Sequence, residues 1–261
     1  MNGRTPTPRQ YRIRARDALF YSSNWIAALI STFAVMLIVF TAVYLTECID
    51  AFTAMISAHP LPIRPIAAVL WYLMLSPLCY GLLAYYTDLC RAAQGEGPVR
   101  VPTAVIFSAY ASKTSVVRAW AFMFIALSLQ LLLPLSLVPL HPLLSGSVSG
   151  IGMLQLLPAV SLCVLLLSFA LYLGARLMPS LFLGLSRPEL PISAILRRTL
   201  RQTGQSAGCA VLLQLGLLVS AVLTLLFTAG IGFFLYVLPN GICTYICFCQ
   251  DLARRTDLSV N

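Results

Sequence analysis

The sequence predicts an all-α, polytopic membrane protein with six transmembrane helices, amphipathic helices at the cytoplasmic interface, and both termini inside. Three observations predict it. Hydrophobic residues make up 59% of the 261 and charged residues only 10%, with a mean hydropathy of +0.89, more apolar surface than a water-soluble chain can bury. The charges are gathered between long uncharged runs. The basic residues fall almost entirely in alternate segments between those runs.

The runs define the elements. Between Asp17 and Glu47 lie 29 residues without Asp, Glu, Lys or Arg; between Arg64 and Asp88, 23; between Arg118 and Arg176, 57; between Arg201 and Asp251, 49. A crossing helix needs about 20 apolar residues, so the first two runs fit one span each. At about 1.5 Å per residue the shortest of the long runs would extend roughly 74 Å, against a hydrocarbon core of about 30 Å. Both long runs therefore fold back. The first does so at Pro139, His141, Pro142 and the Gly/Ser cluster that follows, residue types that punctuate helices. The second does so at Gly230 and Gly232, where a hairpin turn would use the positive φ open to glycine. Six spans result, at about 25–46, 66–86, 119–139, 153–174, 207–227 and 231–249, within a single integral membrane domain covering residues 1–261.

Orientation follows from charges that did not define the spans. With the N-terminus inside, 16 of the 17 basic residues lie on the inner side and only Arg64 lies outside, the asymmetry of the positive-inside rule. The first span is expected to remain as an anchor, because its apolar region exceeds the 7–15 residues of a signal peptide and no small-x-small site precedes Glu47.

The basic segments carry a helical period. In "ELPISAILRRTLRQTGQSAG" (residues 189–208), Ile192, Ile195, Leu196, Thr199, Leu200 and Thr203 cluster on one side of a helical wheel, with Arg197, Arg198, Arg201 and Gln205 opposite. Pro191 suits the start of this helix, and Gly204 allows a bend into the fifth span. Such a helix on the cytoplasmic side lies in the interface, with arginines turned to anionic head groups. Arg197, Arg198 and Arg201 set topology and snorkel, or form a lipid or partner site. Nucleic acid is excluded as a partner, since no stacking aromatics or binding motif accompany them. Tyr11, Ala15, Ala18 and Leu19 make a similar apolar face before the first span, as do Val105, Ile106, Ala109 and Tyr110 before the third. An interfacial helix followed by a helical hairpin thus recurs three times.

The chemistry-bearing residues point away from catalysis. No ionisable residue falls within the six spans, which argues against intramembrane carboxylate relays. The polar residues there are Gln130, Gln155, Gln214, Asn240 and hydroxyls, types that hold membrane helices together. His59 and His141 fall in different outer loops, and no nucleophile–base set, P-loop or Rossmann glycine pattern is present. Catalytic residues, cofactor-binding residues and metal ligands are therefore expected to be absent, with no cofactor. Of eight cysteines none forms a C-x-x-C pair; Cys243 and Cys247 share a helical face but lack a partner ligand, and the cysteines read as small apolar filler. Pro77, Pro134, Pro158 and Pro239 fall inside four spans, where each removes a backbone donor and kinks the helix.

The chain resembles a family of uncharacterised bacterial integral membrane proteins, catalogued as domain of unknown function 975. The stretches that carry the likeness are "RARDALFYSSNW", "SPLCYGLLAYYTDLCRA", "ARLMPSLFLGLSRPELPISAILRRT" and "TAGIGFFLYVLPNGICTYICFCQDL", spread over nearly the whole length. A more distant likeness is to the membrane portion attached to some glycerophosphodiester phosphodiesterases, without their catalytic barrel. The resemblance implies a multi-pass protein of the bacterial plasma membrane and carries over no catalytic residue. The expected role is a non-enzymatic accessory or scaffold that binds anionic lipid, a membrane protein partner or a second copy of itself. The alternative is a transporter or permease component for a neutral or amphipathic substrate, suggested by the proline-broken spans.

Overall fold

The chain folds, in a computed structural model, as helices joined by turns, with no strand among the described residues, which are 6–21, 24–56, 63–136, 138–140, 153–204, 206–228 and 232–258. In chain order the helices are α1 (Pro8–Phe20), α2 (Asn24–Ile56), α3 (Ile63–Ala93), a 3₁₀ segment (Thr103–Tyr110), α4 (Lys113–Leu135), a 3₁₀ turn (Val138–Leu140), α5 (Met153–Leu177), α6 (Pro179–Ser186), α7 (Ile192–Thr203), α8 (Ala207–Thr228), a π segment (Phe233–Val237) and α9 (Leu238–Leu258). Among the described residues five stretches are long and apolar enough to cross a membrane: Asn24–Met55, Ile63–Ala93, Lys113–Leu133, Pro158–Ser186 and Ala207–Thr228. Their large apolar side chains are widely uncovered, Ile30 by 63% and Phe33 by 62% for example, which suits contact with lipid rather than water.

The sixth predicted span is helical where it is described but is not among the five. Its most apolar residues sit in the π segment, and α9 then takes in Gln250, Asp251 and Arg254. Its middle is turned into the protein: Cys243, Ile246, Cys247 and Phe248 are all buried. The first span also differs from its expected end at 46. The helix continues to Ile56, because backbone hydrogen bonding is indifferent to the charges at Glu47 and Asp50 that mark the edge of the apolar run.

Two compact units form, one from residues 1–123 and 220–250, the other from 124–219 and 251–261. In the first, α1 starts with Pro8 at its first position and with the Thr7 N–H donating to Gln10 Oε1 at 2.8 Å, half of a capping box. It buries Tyr11, Ala15, Ala18 and Leu19, the predicted face, against α2 and α3, and the Tyr11 ring meets Phe248 edge-on at 5.6 Å. Helices α2 and α3 pack along each other. Between them Thr32 donates to the Ala28 carbonyl at 2.8 Å and accepts from the Tyr86 hydroxyl at 2.6 Å, all buried. Gly95 closes α3 with φ 78°, its N–H on the Ala92 carbonyl; a side chain there would be strained. The 3₁₀ segment lies against α3 and buries Ile106 and Ala109.

In the second unit, α5, α6 and α7 pack on one another. A Cβ on Gly174 of α5 would stand 2.9 Å from Gln214 Nε2 of α8, so glycine is what lets that amide approach. The amphipathic helices α1 and α7 both turn their apolar faces onto their own unit.

Candidate functional site

The helix built around the three arginines is α7. Pro191 stands at its N-cap in extended conformation. Spaced four apart, Ile195, Thr199 and Thr203 are all buried, against α5 and α6. The threonine hydroxyls are spent on the helix itself, Thr199 donating to the Ile195 carbonyl and Thr203 to the Thr199 carbonyl, both at 2.8 Å. Thr203 Oγ1 also lies 3.4 Å from the Arg176 carbonyl oxygen, tying the end of α7 to the end of α5. The opposite side exposes Arg197 and Arg201, with Arg198 half-buried. Among the described residues no carboxylate pairs with Arg197 or Arg201. Leu200, placed on the apolar face by the sequence, is 38% exposed, so the buried stripe is narrower than the wheel suggested. Gly204 continues in right-handed helical geometry, at φ −53°.

Arg176, which in the sequence is only a charge at the edge of an apolar run, belongs to the same surface. Its Nη1 donates to the Tyr172 hydroxyl at 2.8 Å and its Nη2 to the Leu200 carbonyl at 2.7 Å. The guanidinium carbon stands 5.6 Å from the centre of the Tyr172 ring, within cation–π range. The Leu200 carbonyl is one of the last four of α7, which have no partner inside the helix. Arg176 therefore caps α7.

Of the four predicted kinks, Pro77 has the best-defined surroundings. It is fully buried inside α3 and cannot donate to the Leu73 carbonyl four residues back. Trp120 Nε1 of α4 donates to that carbonyl instead, at 2.8 Å. Nearby the Tyr110 hydroxyl donates to the Met74 carbonyl, the Tyr72 hydroxyl to the Trp120 carbonyl, and Ser76 to the Tyr72 carbonyl at 2.6 Å. Tyr80 stacks parallel on Phe122, centroids 6.0 Å apart. Partial burial pushes the Tyr110 phenol above its ordinary value. The donor that mends this break comes from α4, which no local sequence signal could have placed there.

Pro134 and Pro158 lie within α4 and α5. Pro239 is the second residue of α9, directly after the π segment, where the Leu238 N–H reaches back five residues to the Phe233 carbonyl. A ladder that must step around a missing proline donor widens in this way. Gly230, His59 and His141 lie outside the described residues. Gly232 corrects the expected reason for glycine in the turn. Its φ is −62°, open to any residue, but a Cβ would stand 2.8 Å from Thr228 Oγ1, which accepts the Gly232 N–H at 2.9 Å. Close approach, not handedness, excludes a side chain there.

The cysteines are free, five of them buried and Cys48 exposed. The Cys90 side chain of α3 neighbours Cys243 and Cys247, a third sulfur that helical spacing does not show. Among the described residues no group of three ligands has the arrangement to hold a metal ion.

No family model, curated protein or solved structure matches this chain.

Proposed function

We propose that this protein is a six-span membrane protein of the bacterial plasma membrane, with both termini in the cytoplasm, acting as a non-enzymatic accessory or scaffold that binds anionic lipid through α7. The observation that carries it is the pair of exposed guanidinium groups, Arg197 and Arg201, held without a carboxylate partner among the described residues on a helix whose other face is docked in the protein. A cation beside an anionic membrane surface gains about 1 kcal/mol, and a helix that is already folded and docked loses little entropy on presenting two.

The asymmetry of 16 basic residues to one supports the six-span, termini-inside arrangement, with residues 231–249 as the sixth crossing. The four stretches quoted above support membership in the domain of unknown function 975 family. A protein partner or a second copy would find open space at Gly204 and Gly208, where an added Cβ meets nothing on another element.

The test is flotation with vesicles and retention of anionic lipid after reconstitution into lipid discs. Replacing Arg197 and Arg201 with Gln is expected to cut retention of phosphatidylglycerol severalfold and leave phosphatidylcholine unaffected. Equal retention by the double variant and the parent protein would sink the lipid-binding role.

A further inference from the structure

The end of α5 carries an arrangement that the two exposed arginines do not use. Arg176 is a half-buried cation fixed at two points, by the Tyr172 hydroxyl and the Leu200 carbonyl. Both are neutral. Among the described residues no carboxylate comes within ion-pair distance of it, whereas Arg16 and Arg91 each have one and Arg64 has two. A guanidinium offers five N–H donors, of which two are engaged; its Nε is buried without a partner. The C-terminal end of α7 offers about half an elementary charge, less than a counter-ion. The same turn of α7 holds a further buried donor without a partner, Gln202 Nε2. Tyr172 accepts from Arg176 through its oxygen, so its own O–H proton is available to a ligand.

The ligand that suits a guanidinium so placed is an anion whose oxygens match a planar fork. Carboxylates and phosphates both do so, and the surface below Arg176 selects between a soluble and a lipid source. Leu162, Leu165, Phe169, Tyr172 and Arg176 are spaced three, four, three and four apart, which puts them on one face of α5. Leu162 is 47% exposed, Leu165 64% and Phe169 55%. This stripe rises roughly 21 Å, more than the ~15 Å of one hydrocarbon leaflet. It ends at the aromatic hydroxyl and the guanidinium, the order of chemistry along a phospholipid from acyl chain to phosphate.

We propose that this face of α5 seats one phospholipid, its phosphodiester held by Arg176 and Tyr172 and its acyl chain laid along Leu162, Leu165 and Phe169. The inference rests on the lipid-binding role proposed above and narrows it from a charged surface to a single site. Arg197 and Arg201, on the adjoining helix, draw in a diffuse anionic shell; Arg176 holds one molecule.

The test is native mass spectrometry of the whole chain released from discs containing phosphatidylglycerol, with Arg176→Gln, Tyr172→Phe and the Arg197→Gln/Arg201→Gln pair as variants. The parent protein is expected to keep one lipid at collision energies that strip the rest. Arg176→Gln should lower that bound fraction about tenfold, the scale of a charge-assisted hydrogen bond. Because Arg176 also caps α7, Tyr172→Phe is the control that keeps the ring and removes only the hydroxyl, with an expected loss of about threefold and an unchanged melting temperature. The Arg197/Arg201 pair should thin the weakly held shell and spare the tight lipid. Full retention by both Arg176→Gln and Tyr172→Phe overturns the site while leaving the broader role intact if the Arg197/Arg201 pair still loses its shell. A melting-temperature loss in Arg176→Gln with no loss of lipid would show a helix cap only. Displacement of the retained lipid by millimolar inorganic phosphate would assign the site to a soluble anion and overturn the lipid assignment.

Discussion

The guanidinium of Arg64, in the first turn of α3, lies 2.9 Å from Glu47 Oε2 of α2, and its Nε lies 2.8 Å from Asp50. The one basic residue that the charge asymmetry leaves on the outer side is thus held by two acids. The contact fixes α3 against the extension of α2 beyond the apolar run, about two turns of α3 ahead of the bond from Trp71 Nε1 to Thr46 Oγ1 at 2.9 Å. Arg64 and Glu47 are more than half exposed, so Arg64→Gln should lower stability by about 1 kcal/mol or less. Thermal unfolding in detergent at low salt and at ~1 M salt checks it. The difference should nearly vanish at high salt, where the screening length falls to about 3 Å. Asp50→Asn removes only one of the two contacts that Arg64→Gln removes and should cost no more than that change.

The repair of the Pro77 break gives a double-mutant prediction. Trp120→Phe leaves the Leu73 carbonyl without a donor, at an expected cost of about 1–3 kcal/mol. In a Pro77→Ala background the alanine N–H can take that carbonyl, so the same Trp120 change should cost less by about 1 kcal/mol. Equal costs in the two backgrounds would mean that the indole contributes only packing. Unfolding of the four proteins in the same detergent measures the coupling.

Gly81 and Gly208 should respond in opposite ways to a methyl group. A Cβ on Gly81 would fall 1.8 Å from the Ile106 carbonyl oxygen, so Gly81→Ala must push the 3₁₀ segment off α3 and should cost about 3 kcal/mol, on the scale of overpacked cores. Gly208 has nothing within 4 Å, and Gly208→Ala should raise helix stability by up to about 1 kcal/mol. A Gly208→Leu protein that keeps its melting temperature but loses a dimer in native mass spectra would place a second copy on that face. One that keeps an otherwise observed dimer would remove Gly208 from the contact.

What could be read from the sequence was local and periodic. Tyr11, Ala15, Ala18 and Leu19 were placed on one face by spacing alone, and those four are buried. Ile195, Thr199 and Thr203 followed the same rule. Helix ends were harder, because charge marks where an apolar slab ends and not where a helix ends; α2 passes through Glu47 and Asp50 without a break. Contacts between distant segments carried no local signal. Nothing in "CYGLLAYY" says that Gly81 will meet Ile106, and nothing around Trp120 says that its indole will mend α3. Gly232 reads in the sequence as a source of positive φ, whereas its φ is −62° and the Thr228 hydroxyl that crowds it is visible only in three dimensions. In the sequence Arg176 is one positive charge among seventeen; its neighbours Tyr172 and Leu200 give it a fixed geometry.

The side of the membrane on which each terminus lies can be settled by the segment that is least apolar. If residues 231–249 cross, an even number of spans puts both termini on one side, and the positive-inside rule makes that side the cytoplasm. If α9 instead stays within the protein on the inner side, as the burial of Cys243, Ile246, Cys247 and Phe248 also permits, five crossings would put the termini on opposite sides. Paired fusions of a reporter that is active only in the cytoplasm, ahead of Met1 and after Asn261, distinguish the two. Activity at both ends is expected. Cys48 gives an independent reading, being the one cysteine that is exposed. A membrane-impermeant maleimide added to intact cells should label the protein, and Cys48→Ser should abolish that labelling. Reporter activity at one end only would reduce the count to five spans and mark that end as the inner one, and the Cys48 labelling should agree with it.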